Sequence, residues 1–256
     1  MASMTKLIRI AMLAMAIAFP AFTAFAANGP VSRPEELRYT WRLRGALSWI
    51  AGLKFPTSGS GLFRNNPVGN DRIESELRIL GNERSEGMYV YRSEIDDLQL
   101  RTLMTFHGYE WEGRRRGEQT SFDYEDGLAR VRKEREERPP RNRVHKLPAN
   151  VMRDVLTGIY YLRSNADSIK APVSSQIYSD GDVYPVIFRP IGSRTAKVGG
   201  ESVATSGFEI VAAPGNEKRW PGGVKVWLTA DSQKIPVRIE IQRSLTSLQL
   251  ELSSFR

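Results

Sequence analysis

The chain has 256 residues, a formal net charge of +8, 26% charged residues, 9% aromatic residues and no cysteine. That composition excludes a disulfide-stapled scaffold, a thiolate metal centre, a lipidated cysteine and a disordered low-complexity chain. The excess of Lys and Arg favours anionic neighbours such as lipid headgroups, acidic glycans or nucleic acid.

Residues 1–26 read as an export signal. Lys6 and Arg9 precede an apolar run from Ile10 to Phe25, broken at Pro20 and Thr23, and Ala24-Phe25-Ala26 offers small residues to a signal peptidase. Cleavage after Ala26 is expected, leaving residues 27–256 as a single β-rich exported domain in the periplasm. No later stretch is long and apolar enough for a membrane helix. Envelope polyanions are then the neighbours to expect, rather than nucleic acid.

The first strand comes next: Leu37, Tyr39, Trp41 and Leu43 alternate with Arg38, Thr40, Arg42 and Arg44, giving an aromatic inner face. Pro56-Thr57-Ser58-Gly59-Ser60-Gly61 and Asn65-Asn66-Pro67-Val68-Gly69-Asn70 are rich in breakers and predict loops. Ile73 to Leu80, Met88 to Leu100 and Arg101 to Tyr109 predict successive strands of a meander. Arg114-Arg115-Arg116 reads as an exposed hairpin tip before a Thr120 to Tyr124 strand and a turn at Asp126-Gly127. Arg130 to Lys146 is a ribbon of basic residues carrying Pro139-Pro140, which excludes a helix; it predicts an exposed strand running into an extended loop, with cations guarding a sheet edge.

One helix is expected over Asn150 to Arg163, with Asn150 as cap and Met152, Val155, Leu156 and Ile159 at helical spacing. Gly158 within it costs roughly 1 kcal/mol relative to Ala, which points to close packing on a strand. Strands resume at Ile177-Tyr178, Val183 to Phe188, Arg194 to Val198 and Gly207 to Ala212, separated by Asp180-Gly181, Gly199-Gly200 and Pro214-Gly215-Asn216. The strongest pattern is last. Val224 to Leu252 reads as a three-stranded antiparallel meander, with Ile235, Val237, Ile239 and Ile241 on one face and Asp231 capping a tight turn. About ten to twelve strands and one helix predict a mainly β fold, a curled antiparallel sheet or open β-barrel with one packed α-helix.

Trp227-Leu228-Thr229, Asp231 and Lys234-Ile235-Pro236-Val237, the closing strand Leu248 to Leu252, and Asp154-Val155-Leu156 leading to Tyr160-Tyr161-Leu162-Arg163 together resemble domain-of-unknown-function family 3108 of exported bacterial β-rich proteins. The likeness covers most of residues 35 to 256. It implies a curled sheet around one helix in an envelope protein and supplies no catalytic residues.

Catalytic signatures are weak. His107 and His145 are the only histidines and have no metal-ligand spacing, so neither a metal site nor a cofactor is expected. Gly200-Glu201-Ser202-Val203-Ala204 lacks the second glycine of a nucleophile elbow, and Gly59 with Gly61 lacks the lysine of a phosphate loop. Paired carboxylates from Glu94, Asp96 and Asp97, or from Asp123, Glu125 and Asp126, define the alternative, an envelope glycan hydrolase with Asp96 or Asp123 as acid, although alternation places Asp96 and Asp97 on opposite faces. The leading expectation is a non-catalytic periplasmic binding or scaffolding protein of cell-envelope biogenesis. Its apolar concavity, with Tyr39, Trp41, Tyr160 and Trp227 as candidate lining, would hold a lipid-like ligand or a segment of an envelope protein partner. Arg114, Arg115, Arg116, Arg132 and Lys133 would face anionic lipid or envelope glycan.

Overall fold

The structure is a computed structural model, and it describes residues 34–45, 56–69, 71–81, 88–111, 114–135, 138–179, 181–215, 220–243 and 246–255. The expected signal over residues 1–26 lies outside the described residues. In chain order the strands are β1 (Glu35–Arg44), β2 (Ser58–Pro67), β3 (Arg72–Gly81), β4 (Met88–Asp96), β5 (Arg101–Trp111), β6 (Arg114–Asp123), β7 (Leu128–Arg135) and β8 (Arg138–Lys146). Helix α1 (Val155–Asn165) follows, then β9 (Val173–Ser179), β10 (Asp182–Val198), β11 (Glu201–Ala212), β12 (Gly222–Thr229), β13 (Pro236–Arg243) and β14 (Thr246–Phe255).

All fourteen strands form one antiparallel sheet in the order β8-β7-β6-β5-β4-β3-β2-β1-β14-β13-β12-β11-β10-β9. Two meanders meet at the β1–β14 pair, where Tyr39 lies opposite Leu252 and Trp41 opposite Leu250. The edge strands β8 and β9 do not pair, so the sheet curls without closing. The chain leaves one edge, crosses the concave face as α1, and returns as the other edge.

Alternation decides what faces the helix. Leu37, Phe63, Leu77, Phe188, Ile210, Val226, Ile239 and Leu250 pack with Leu156, Ile159 and Leu162 into the main core. Each fully buried side chain of this size is worth about 1.5–3 kcal/mol in transfer from water. The helix starts one turn later than the sequence suggests. Asp154 is its cap rather than Asn150, accepting a hydrogen bond from the Thr157 amide at 2.8 Å while a second oxygen accepts from Ser93 Oγ. Gly158 packs where expected: a Cβ there would lie 2.9 Å from Ile210 Cδ1.

Three expectations change. The Pro56 to Gly61 and Asn65 to Asn70 breakers predict loops, yet Ser58–Pro67 is strand β2. The reason is two strands wide. Trp41 pairs with Gly59 and Tyr39 with Gly61, and a Cβ on Gly59 would sit 2.1 Å from the Leu80 carbonyl oxygen to which Trp41 Nε1 donates at 2.7 Å. The glycines make room for aromatic neighbours. Second, the Arg130 to Lys146 ribbon is a hairpin of β7 and β8, not a strand and a loop. Pro139 and Pro140 are tolerated because β8 is an edge. Third, the Val183 to Phe188 and Arg194 to Val198 segments form one seventeen-residue strand, β10, with an irregularity between Pro190 and Gly192.

Candidate functional site

The gap between the two edges is filled at one end. Met152 accepts a hydrogen bond from the Thr102 amide of β5 at 2.8 Å, and Arg153 accepts one from the Tyr178 amide of β9 at 2.7 Å. Phe122 of β6 meets the Tyr178 ring edge-on at 5.0 Å, and Thr120 Oγ1 lies 3.0 Å from the Tyr178 hydroxyl.

A cavity of about 80 Å³ opens there, lined among others by Tyr89, Tyr91, His107, Tyr178, Trp220 and Ile241. Tyr89 and Tyr91 stack at a tilt, 4.7 Å between centroids. Strand register carries the lining sideways. Tyr91 lies opposite His107, His107 opposite Glu118, Glu118 opposite Lys133, and Lys133 opposite Arg141. Directly paired residues share a face, so this row crosses the helix-facing surface from the aromatic cavity to the edge. The row ends in a polar cleft of about 260 Å³ bounded by Glu118, Val131, Lys133, Arg141, Arg143 and His145, with Gly181 and Asp182 of the β9–β10 turn opposite. The opposite face of the same strands holds a third depression, about 420 Å³, floored by Val90, Met104 and Phe106 and rimmed by Arg78, Arg92 and Arg132.

The four aromatic residues expected to line a cavity lie elsewhere. Tyr39, buried in the core, donates to the Pro236 carbonyl at 2.5 Å. Trp41 is buried over Gly59. Tyr160, also buried, donates to Asp97 at 2.7 Å. Burial pushes both tyrosine hydroxyls well above the usual range, so they serve as permanent donors. Trp227 is on the face away from the helix, with the Arg194 guanidinium 3.7 Å and that of Arg238 5.3 Å from its ring.

The expected anion-binding surface divides in the same way. Arg132 points away from the helix and pairs with Glu134 at 3.2 Å, whereas Lys133 faces the cleft and pairs with Glu118 at 2.7 Å. Arg116 is exposed on the helix-facing side of β6. Arg114 and Arg115 belong to β6, and their side chains lie outside the described ones.

The signature blocks of the sequence meet at the other end of the helix. Arg163, 2% exposed, donates from Nε to the Lys234 carbonyl at 3.0 Å and from Nη2 to that of Gln233 at 3.2 Å, and makes a two-pronged ion pair with Glu35. Asp231 shapes the receiving turn as expected, its Oδ1 accepting from the Gln233 amide at 3.0 Å and from Thr229 Oγ1 at 2.7 Å. These residues fasten the helix to the sheet.

The candidate hydrolase acids are engaged in turns and ion pairs. Asp96 accepts from Arg101 Nε and the Gln99 amide, both at 3.0 Å, while Asp97 turns the other way to Tyr160. The Asp126 amide, with Arg130 beside it, holds the Asp123 carboxyl below the usual range, opposite to what a general acid requires. Ser202 stands in β11 next to the Gly199-Gly200 turn. Among the described residues no group of three or more His, Asp or Glu is placed to hold a metal, and no helix is long and apolar enough to cross a membrane.

Comparison with known proteins adds the following. Residues 57–253 match the family model described as "Protein of unknown function (DUF3108)". No curated protein matches the sequence. Among solved structures, a beta-barrel-like protein of domain of unknown function DUF1849 from Brucella abortus is similar over 87% of this chain and 97% of its own, with a TM-score of 0.57 at 9% identity. It supports the curled, barrel-like fold. The Mycobacterium tuberculosis lipoprotein LppX matches over 86% of this chain and 85% of its own, with a TM-score of 0.29 at 11% identity, too distant to bear on this one.

Proposed function

The chain belongs to the DUF3108 family of proteins of unknown function, and we propose that it is an exported, non-catalytic binding protein of the cell envelope that holds a lipid-like ligand at the open end of its curled sheet. One observation carries the reading. The aromatic cavity around Tyr89, Tyr91, Tyr178 and Trp220 and a cationic cleft lie on the same face of the sheet, and the directly paired row His107–Glu118–Lys133–Arg141 runs from one to the other. An apolar pocket joined to a polar rim suits an amphipathic molecule.

The cavity volume limits how such a molecule sits. Sites that enclose a whole small ligand run to roughly 300 Å³ and more, whereas this one is about 80 Å³. It therefore takes the end of an acyl chain, and the remainder lies along the row toward the edge. The sheet has no ladder to break for this, because β8 and β9 do not pair with each other.

The experiment is to purify the chain from Ala27 onward out of the periplasm under native conditions, extract it with organic solvent and analyse the extract by mass spectrometry. A stoichiometric lipid is expected. In parallel, a fluorescent fatty acid should bind the delipidated protein, and Tyr89→Glu, a half-buried position lining the cavity, should weaken that binding by at least about ten-fold while a cooperative thermal melt is retained. A clean extract together with no probe binding overturns the lipid reading and leaves an envelope protein partner as the occupant.

A further inference from the structure

Basic residues on this sheet follow two patterns. On β3, β4 and β7, arginines on the face away from the helix stand beside acids: Arg130 with Asp123 at 3.2 Å and Asp126 at 3.4 Å, Arg132 with Glu134 at 3.2 Å, Arg92 with Glu76 at 2.5 Å and Glu74 at 3.2 Å, and Arg78 with Glu76 at 2.6 Å. On the helix-facing side of β8 the pattern stops. Arg141 and Arg143 have no acidic partner among the described residues, and they project with His145 into the 260 Å³ cleft. The arginines named on β3 to β7 are neutralised, whereas two guanidiniums on β8 face a concavity without an acidic partner among the described residues.

The acids that do face the cleft leave those guanidiniums available. Glu118 is engaged by Lys133 at 2.7 Å, and Asp182, exposed on the far wall, accepts a hydrogen bond from the Tyr184 hydroxyl at 3.4 Å. Strand geometry fixes the spacing. Arg141, Arg143 and His145 are two residues apart on one face, hence about 7 Å from one to the next, and Lys133 is one strand away at about 5 Å. Guanidinium forks held that close can grip one tetrahedral oxyanion from two sides, each donating two N–H groups to its oxygens.

We propose that this cleft binds a phosphate group, and that the group is the headgroup of the ligand whose apolar end enters the aromatic cavity. The second half of that statement rests on the lipid reading; the first does not. From His107 at the cavity to Arg141 at the edge the row crosses three strand spacings, about 14 Å. A phospholipid spans that with part of one acyl chain.

The test uses the delipidated chain and three probes: inorganic phosphate, a short-chain phosphatidic acid below its micellar concentration, and the matching diacylglycerol. Phosphatidic acid should bind at least about ten-fold more tightly than diacylglycerol, and Arg141→Ser/Arg143→Ser should remove that advantage while leaving diacylglycerol binding unchanged. The opposite-face pair Arg130→Ser/Arg132→Ser removes the same charge and should leave the advantage intact. Inorganic phosphate that binds the parent but not the β8 double variant, with neither lipid bound, supports the phosphate site and overturns its lipid source. Equal binding of the two lipids with no effect of the β8 substitutions overturns the site and leaves the lipid reading standing. Equal losses in both double variants also overturn it, because net charge alone would then explain the preference.

Discussion

Arg163 and Arg143 are the same residue type in opposite circumstances, and the contrast separates what holds this fold from what it offers. Arg163 is buried at the end of α1 with its donors shared between the Glu35 carboxylate and the carbonyls of Gln233 and Lys234. Arg143 is exposed on an edge strand, faces a cleft and has no acidic partner among the described residues. A buried cation with every guanidinium nitrogen engaged is committed to structure, because any competing ligand would have to break those bonds in a low dielectric. A cation left unmatched in a concavity keeps its donors for something else.

The largest effect that would break the comparison comes from the buried side. Arg163→Met should cost about 3–5 kcal/mol, most of it from leaving the Glu35 carboxylate without its partner. The urea midpoint should fall with an unchanged slope. Adding Glu35→Met should return part of the loss, since replacing both members of a buried pair by apolar groups is cheaper than removing one, with the buried Asn65 amide that also donates to Glu35 limiting the recovery. If the single variant is as stable as the parent, Arg163 is not the fastening that its geometry describes.

The same region should respond to alkali. Tyr39 and Tyr160, each 1% exposed, have hydroxyls raised by burial far above the ordinary tyrosine range, while the unfolded chain ionises them near pH 10. The folded state therefore holds these protons more tightly. Its stability is full below about pH 10 and falls as pH rises beyond it, by about 1.4 kcal/mol per unit for each group. Tyrosinate absorbance from these two residues should appear together with loss of the fold. The variant Tyr39→Phe should flatten the fall while losing the bond to the Pro236 carbonyl.

How much of this could be read from the chain depends on how local each cause is. The C-terminal meander was legible because Val237, Ile239 and Ile241 alternate with polar residues and Asp231 shapes its own turn within two positions. The fold class followed from that, and the 3108 family resemblance from the blocks around Trp227 and Tyr160. Strand β2 was not legible. Gly59 and Gly61 look like breakers in sequence, and their purpose is set by Trp41 and Tyr39 on the neighbouring strand. The cleft was hidden for a similar reason: Arg132 and Lys133 are adjacent in sequence but face opposite sides, so a basic run divides into two surfaces only once the register is known. The aromatic candidates show the converse. Residue type alone marks Tyr39, Trp41 and Tyr160, and the packing around α1 takes them into the core, while Tyr89 and Tyr91, on a strand the sequence does show, line the cavity.

The smallest expected effect sharpens the comparison most. All nine positions of β8 are exposed, so Arg141→Ser/Arg143→Ser removes no packed surface and no ion pair seen among the described residues. Stability should change by less than about 0.5 kcal/mol. Two roles compete for these arginines, because cations on an edge strand also keep it from pairing with another chain. Lys146 on the other face of β8 and Arg138 opposite Arg135 remain in the double variant and continue that protection, so light scattering should not rise. Rising scattering would assign the two arginines to guarding the edge. A stability loss above about 1 kcal/mol would mean that they have committed partners after all, as Arg163 does. An unchanged, non-aggregating protein that has lost only its preference for the phosphorylated lipid is the outcome that the contrast between the two arginine sites requires.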